Sequence, residues 1–301
     1  MESLQILIEQ IEPLAKGPIF LPPAHTRERV LPAVAATMAG TTLIYLASFL
    51  WANRVIKDPA ADKSAKATTT SVAKEVTADR RRLCYQITNI STNLFLGLMG
   101  CYFEYVLLPE NPTMREKVQG QENYFVFGAV QIGYQLWSLI VGTFFVNERI
   151  EMIFHHIAVI AVGCMSVFFN NGFRYWTPYF FGIFELSSVP LGVMNIFKDN
   201  KAWMEAHPKL FGNIRVTFAV TFLTIRIVML VPRLIYLRDC FLVPYLMDKE
   251  YFFYRLYLFM VWASSCFLFL LQLYWGHLIV TGIVKAVTGA GKVKGSKKKQ
   301  Q

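Results

Sequence analysis

The sequence predicts an all-α fold, a polytopic membrane bundle of about seven transmembrane helices around a central chamber. Hydrophobic residues make up 54% of the 301 residues and charged residues make up 17%. Soluble domains are about 45–50% apolar and about 25% charged, so the chain is too apolar to be an ordinary soluble domain. The apolar residues are gathered in blocks of about 20, the length that crosses a bilayer as a helix. Ionisable side chains lie inside several blocks, which indicates a polar interior.

Seven hydrophobic blocks follow one another along the chain. The predicted spans are approximately 31–52, 85–108, 124–146, 152–170, 176–197, 214–236 and 256–284. Only a tight loop at 147–151 separates the third span from the fourth. The segment 238–255 is apolar but interrupted by Pro244 and by charges, so it is predicted to lie in the interface or to be re-entrant. Six or eight spans are therefore open alternatives.

The chain divides into three predicted parts. Residues 1–83 hold an N-terminal surface helix, the first transmembrane helix and a polar loop; residues 84–286 form a six-helix membrane domain; residues 287–301 are a basic tail. The surface helix is predicted because apolar residues between Leu4 and Leu14 recur at helical spacing. The loop is rich in Ala, Thr and Lys, which is typical of a mobile segment or a weak helix.

The basic residues indicate how the chain is oriented in the membrane. With seven spans, 19 of the Lys and Arg residues fall on one side and 10 on the other, and the richer side is expected to face the cytosol. The N-terminus is therefore predicted to be lumenal, and the loop and tail cytosolic. Orientation signals and contacts with anionic lipid headgroups account for the net charge of +10, so no nucleic-acid partner is predicted.

The C-terminal residues carry a candidate targeting signal. The chain ends in GSKKKQQ, which places Lys298 and Lys299 at the fourth and third positions from the end. This spacing resembles the dilysine retrieval signal of endoplasmic-reticulum membrane proteins, which is recognised from the cytosol. The expected location is therefore the endoplasmic reticulum membrane, with coat machinery as a partner through the tail. A basic tail that no receptor recognises is the alternative.

Nothing in the sequence predicts a metal site or a resident cofactor. The five cysteines are scattered and show neither CxxC nor Cys/His ligand spacing. They are interpreted as small apolar packing residues. The sequence leaves the oligomeric state open.

The ionisable residues inside the spans are the candidate functional residues. His155 and His156 lie about one turn into the fourth span. Adjacent residues of a helix point about 100° apart, so one imidazole is expected to face the interior and the other a neighbouring helix. A histidine can act as a general base, which makes both residues catalytic candidates. Interfacial histidines that bond headgroups or carbonyls are the alternative.

Two opposite charges are expected to pair in the middle of the membrane. Glu185 lies near the middle of the fifth span and Arg226 near the middle of the sixth. Pro190 is predicted to kink the fifth span, with Ser187 or Ser188 bonding the freed carbonyls and Glu185 at the edge of a cavity. Glu185 is thus a candidate catalytic partner of the histidines. A structural pair that sets helix register is the alternative.

Further polar residues are candidates for lining the chamber. The predicted substrate-binding residues are Arg226, Ser187, Ser188, Gln272 and Tyr274. Single amides in spans more often hydrogen-bond between helices than touch a ligand. That alternative applies to Asn93, Gln131, Gln135, Asn195 and Gln272. Tyr274 is alternatively an anchor at the membrane interface.

Four stretches together resemble the TLC-domain family, which includes the ceramide synthases and the TRAM-type translocon proteins. They are FHHIAVIAVGCMSVFFNNGFRYW, FELSSVPLGVMNIFKD, FLTIRIVMLVPR and LQLYWGHLIVTGIVK, and the resemblance covers about residues 80–285. It implies six or more helices around a central chamber that opens to the cytosolic side. It also implies a histidine pair, matched by His155 and His156, that moves an acyl group from acyl-CoA to a sphingoid amine.

The chain departs from the ceramide synthases after the histidine pair. Those enzymes carry a His-Asp and a second Asp three residues on, where this chain reads ELSSVP from Glu185 to Pro190. In this stretch the chain resembles the non-synthase members of the family, whose roles concern membrane lipid composition.

Three functions follow from these observations. The preferred one is a role in lipid homeostasis, in which the chamber binds or senses an acyl-chain lipid of the membrane. The second is a sphingolipid-type N-acyltransferase with acyl-CoA as co-substrate, His155 or His156 as base and Glu185 as partner. The third is a trafficking or chaperone factor of the endoplasmic reticulum.

Overall fold

The structure is a computed structural model that describes residues 26–55, 69–107, 124–168, 175–243, 247–249 and 252–287. The α-helices are α1 Leu31–Val55, α2 Thr69–Tyr102, α3 Phe125–Val141, α4 Ile150–Phe168, α5 Ser188–Asp199, α6 Lys201–Ala206, α7 Pro208–Leu223, α8 Leu230–Phe241 and α9 Phe252–Val287. Turns of π-helix extend or join them at Thr26–Val30, Phe103–Leu107, Gly142–Val146, Pro178–Gly182 and Thr224–Val228, and a 3₁₀-helix covers Ile183–Ser187.

Seven of these helical stretches are long and apolar enough to cross a membrane. They are Glu28–Val55, Asp79–Leu107, Phe125–Val146, Ile150–Phe168, Pro178–Asp199, Pro208–Phe241 and Arg255–Lys285. The predicted all-α membrane bundle and its seven spans are therefore confirmed, with ends that differ by less than two turns. Residues 238–241 complete α8, and α9 begins at Phe252. The described residues therefore contain seven candidate spans, rather than the alternatives of six or eight.

Three predicted segments fall wholly or partly outside the described residues. The surface helix predicted in residues 1–17 and the tail with Lys298 and Lys299 lie outside them. Of the polar loop, the residues from Thr69 onward are helical and continue directly into α2. This part of the loop corresponds to the weak-helix alternative.

The third span is the centre of the bundle. In the most apolar 18 residues of this span, 67% of the residues are buried. The corresponding share in the first span is only 11%, so most of α1 faces outward. α3 packs against α1 and α4. At Gly133 an added Cβ would lie 2.7 Å from the carbonyl oxygen of Val34, so the small residue permits the close approach of α1.

The fifth span changes its helical type before Pro190. A π-helical turn ends at Gly182, whose Cβ, if present, would lie 2.5 Å from the Cα of Gly100 in α2. The 3₁₀-helix that carries Glu185 follows, and Pro190 sits in the first turn of α5, where a missing N–H costs little. The irregularity therefore lies just before Pro190, where the span packs on α2, and the Ser187 hydroxyl donates to the Phe184 carbonyl at 3.0 Å, in line with the prediction that a serine bonds a freed carbonyl.

A left-handed residue closes the turn between the third and fourth spans. Asn147 has φ 55°, a conformation that asparagine adopts more readily than most residues. The backbone N–H of Glu148 donates to the carbonyl of Gly142 at 2.9 Å. This tight turn holds the Glu148 side chain against the ends of both helices.

A second ion pair joins the second and sixth spans. Arg233 donates to Glu104 at 2.6 Å, and both side chains are at most 16% exposed. The Arg233 guanidinium also lies 3.9 Å from the ring centroid of Tyr179, in the fifth span. This pair was not predicted from the sequence, because Glu104 and Arg233 lie near the ends of the predicted spans.

Candidate functional site

Irregular helical turns hold the two charged residues of the fifth and sixth spans. Glu185 lies in the 3₁₀-helix Ile183–Ser187, and Arg226 lies in the π-helical turn Thr224–Val228. Such turns replace the regular i to i−4 ladder and are frequent at functional sites. They bring the two side chains together with residues of α3, α4 and α9.

A cavity of about 80 Å³ lies where these five segments meet. Its hydrogen-bonding residues are Gln131, His155, Glu185, Arg226, Ser264, Ser265 and Gln272. The remaining wall consists of aliphatic, methionine and phenylalanine side chains. We call His155, Glu185, Arg226, Gln131 and Gln272 the cavity cluster.

Glu185 accepts hydrogen bonds on both carboxylate oxygens. Gln131 Nε2 donates to Oε1 at 2.9 Å, and Ser188 Oγ donates to Oε2 at 2.8 Å. Arg226 Nη2 lies 3.9 Å from Oε2, so the predicted contact between Glu185 and Arg226 is confirmed as an ion pair. Both charged side chains are at most 12% exposed, so each compensates the charge of the other in a place that water scarcely reaches.

Arg226 is held from several directions. Its Nε donates to Ser187 Oγ at 2.6 Å, and its Nη2 donates to Ser188 Oγ at 2.8 Å and to the Phe184 carbonyl at 3.3 Å. The guanidinium also lies 4.6 Å from the centroid of the Phe184 ring, a cation–π distance. Glu185, Ser187 and Ser188 of the fifth span thus hold the guanidinium of Arg226 in the sixth.

The two adjacent histidines have separate surroundings. His155 lines the cavity. His156 is 4% exposed and uses both ring nitrogens: Nδ1 lies 2.5 Å from Gln135 Oε1, and Nε2 lies 2.9 Å from Glu148 Oε2. Tyr85 donates its hydroxyl to the same Glu148 oxygen at 3.0 Å. We call His156, Glu148, Tyr85 and Gln135 the closed cluster.

The histidines follow the predicted division between interior and neighbouring helix. Glu185 was predicted as a catalytic partner of both histidines, but only His155 shares the cavity with it. His156 has no ring nitrogen left for a substrate in this arrangement. His155 is therefore the histidine placed to exchange a proton with a molecule in the cavity.

The predicted substrate-binding residues take three different positions. Arg226 and Gln272 line the cavity, whereas Ser187 and Ser188 contact Arg226 from the side of the fifth span. Tyr274 is 59% exposed, so the prediction that it lines the chamber is wrong. It lies two residues from the buried Gln272, and residues two apart on a helix face different sides.

Glu148 and Tyr85 were not among the residues predicted from the sequence, whereas Gln131 was a candidate for lining the chamber and does line the cavity. Glu148 was placed in the tight loop at 147–151, and Tyr85 was the first residue of the second predicted span. The detectable signal was the brevity of the loop, which keeps Glu148 within two turns of His156. Among the described residues, no three His, Cys, Asp or Glu side chains converge in the way a metal site requires.

The family comparison agrees with this architecture. The family model of the TLC domain matches residues 84–281. This range includes all residues of both clusters and the second to seventh spans, except for the start of the second and the end of the seventh. No curated protein and no solved structure shows significant similarity to the chain. The match covers well over half of the chain, and the protein belongs to the TLC-domain family.

Proposed function

We propose that this TLC-domain protein binds an acyl-chain lipid in the cavity and takes part in membrane lipid homeostasis through that binding. The observation that carries the proposal is the composition of the wall, which combines His155, Glu185 and Arg226 with a largely apolar remainder. A ligand that fits such a wall has a polar end and a hydrocarbon body. Membrane lipids have this chemistry and are present in the surrounding bilayer.

The volume of the cavity limits how much of a lipid it accepts. About 80 Å³ is available, whereas pockets that enclose a drug-sized ligand measure about 300–1,000 Å³. In this conformation the cavity therefore has room for one end of a lipid. The rest of the chain would lie between helices or in the bilayer.

The surface of α9 offers an entry for the lipid. Ser264 lines the cavity and is also exposed at the outside of the bundle. The Tyr257 hydroxyl of α9 donates to the Met165 carbonyl of α4 at 3.1 Å, which ties these two helices together near one end. We place the entry beside Ser264, and a modest separation of α4 and α9 would widen it.

Lipid analysis of the purified protein tests this function. Val162 lines the cavity, and Val162→Trp should fill the space and reduce the amount of co-purifying lipid. Val228→Trp is the matched control, since Val228 is 67% exposed at the outside of the sixth span. Equal amounts of the same lipids on both variants and the parent protein would contradict binding in this cavity.

A second candidate function is acyl transfer from acyl-CoA to a long-chain amine. The observation in its favour is that His155 and Glu185 line the same cavity. In this reaction the amine nitrogen attacks the thioester carbonyl, the base takes the proton of the amine, and the CoA thiol leaves. His155 would be the base, and His156 would act only through the packing of α4.

Product formation from acyl-CoA and a long-chain amine tests the second candidate. His155→Ala should abolish the product, whereas correctly folded His156→Ala should retain part of the activity. A base of this kind contributes about 10²–10⁴-fold, so the loss at His155 is measurable. Activity that survives in His155→Ala would remove the candidate.

The charges of the bundle support the proposed orientation. One set of helix ends carries Arg54, Arg80, Arg81, Arg82, Arg149, Lys198, Lys201, Lys209, Arg215 and Lys285. The opposite ends carry fewer basic residues, so the first set is proposed to face the cytosol, together with the C-terminus. The location in the endoplasmic reticulum is also a proposal and depends on the tail.

A tagged protein tests orientation and location together. Antibody access to a C-terminal tag after selective permeabilisation of the plasma membrane is expected if the tail is cytosolic. Changing Lys298 and Lys299 to Ser should release the protein to later compartments. An unchanged location would show that the two lysines are not a retrieval signal.

A further inference from the structure

Two buried oxygen atoms in the cavity wall have no partner among the described residues. They are Oε1 of Gln131 and Oε1 of Gln272, and the two residues are only 1% and 4% exposed. Both residues line the cavity. Native proteins leave few buried polar groups without a hydrogen bond, so two such atoms at one cavity indicate that something else supplies the donors.

The contact with Glu185 fixes which atom of Gln131 is available. The Gln131 amide nitrogen donates to Glu185 Oε1 at 2.9 Å. A carboxylate paired with an arginine only accepts hydrogen bonds, so a flipped amide would set two acceptors against each other. The group of Gln131 that remains available is therefore its side-chain oxygen Oε1, which accepts hydrogen bonds.

The charges of the wall already compensate each other. Arg226 and Glu185 form an ion pair, and Arg226 also donates to both serines of the fifth span. With His155 neutral, the cavity cluster has no net charge. A ligand that brought a further charge would leave it without a counterion in a nearly water-free place, which is strongly unfavourable.

We infer that the bound lipid is a neutral one whose polar end carries a hydroxyl group, the class that includes long-chain alcohols and acylglycerols with free hydroxyls. Its O–H donates to the side-chain oxygen of Gln131 or Gln272, and the adjoining end of its chain lies along the apolar wall of the cavity. This inference rests on the proposed lipid binding and adds the chemistry of the headgroup. It disfavours fatty acids, long-chain ammonium compounds and phospholipids at this site.

Competition between ligands that share one chain tests the headgroup. The purified full chain in lipid nanodiscs is labelled with a photoreactive long-chain alcohol in the presence of hexadecanol, hexadecyl methyl ether, palmitate or hexadecylammonium. Hexadecanol should compete about tenfold more strongly than the methyl ether, which keeps the oxygen but lacks the donor. It should also compete more strongly than either charged compound.

The outcomes separate this inference from the proposed function. If all four compounds compete equally, the cavity binds chains and the inference about the hydroxyl is wrong. If palmitate or hexadecylammonium competes best, the ligand is charged and the inference is also wrong. If neither labelling nor competition occurs, the proposed lipid binding fails as well. Equal competition by the alcohol and its methyl ether would also overturn the inference, because the ligand would then need no hydrogen-bond donor.

A variant at Gln272 tests the acceptor directly. Gln272→Leu should bring the ratio of alcohol to ether competition close to one, and Gln272→Met provides a second, more flexible apolar replacement. Gln135→Leu is the matched control, because Gln135 is 3% exposed and contacts His156 outside the cavity. An unchanged ratio in both Gln272 variants would exclude Gln272 as the acceptor, and an unchanged ratio in Gln131→Leu as well would overturn the inference. An equal loss in Gln135→Leu would also overturn it.

Discussion

His155 and His156 are neighbours in the chain, and their ring centroids are 5.9 Å apart, yet they belong to two different polar regions. In the closed cluster, both ring nitrogens of His156 contact a partner. The cavity cluster beside His155 contains an ion pair, open space and two acceptors without partners. The comparison assigns the closed cluster to the stability of the fold and makes the cavity cluster the place where the proposed ligand would bind.

The largest effect is expected in the cavity cluster from loss of its cation. Arg226→Ala leaves the Glu185 carboxylate buried without its counterion, which should destabilise the protein by about 3–5 kcal/mol. The thermal unfolding midpoint of the detergent-solubilised protein measures this change. Combining Arg226→Ala with Glu185→Gln should recover part of the loss, because the amide carries no charge. A midpoint for Arg226→Ala equal to that of the parent protein would show that the ion pair is not needed for stability.

The two histidines should respond differently to the same replacement. His156→Leu removes the imidazole partner of Gln135 and leaves Glu148 with only the Tyr85 hydroxyl, which should cost about 1–3 kcal/mol. His155→Leu breaks no hydrogen bond to a described residue and should change the stability by less than about 1 kcal/mol. Chemical or thermal unfolding of both variants, with lipid content measured in parallel, checks the comparison. Equal destabilisation by the two replacements would abolish the distinction between the clusters.

A methyl group at Gly142 tests how tightly the closed cluster is packed. An added Cβ there would lie 2.5 Å from a carboxylate oxygen of Glu148 and 3.2 Å from the Tyr85 hydroxyl. Gly142→Ala should therefore destabilise the protein by about 1–2 kcal/mol, as the carboxylate must shift. Gly282→Ala is the control, because no atom lies within 4 Å of its added Cβ. Unfolding midpoints that fall equally in both variants would contradict the close packing.

The smallest change in stability is expected from replacing Tyr274. This replacement tests whether the ligand site ends at the cavity. The side chain is 59% exposed, so Tyr274→Ala should change stability by less than about 0.5 kcal/mol and leave the retained lipid unchanged. Gln272→Leu, two residues away, should alter the bound lipid. Loss of lipid in Tyr274→Ala would mean that the ligand extends along the outside of α9.

Much of the candidate site followed from the cost of charge in hydrocarbon. Glu185 and Arg226 each stand alone near the middle of an apolar block, and matching depth on consecutive spans predicts their contact. The closed cluster could not be predicted in the same way. Its carboxylate comes from a loop, and the direction of that side chain depends on the left-handed turn at Asn147.

The fold class and the number of spans were determined by the sequence alone, because the length and apolarity of a spanning helix are local properties that can be read from consecutive residues. The tertiary structure decided which of two adjacent imidazoles lines the cavity and which residues surround each of them. A rotation of about 100° between neighbouring helical positions directs His155 and His156 to different helices, and the packing around α4 determines what each one meets. The tertiary structure also decided that the fifth span changes its helical type before Pro190. The close contact between Gly100 and Gly182 at this point joins residues far apart in the chain.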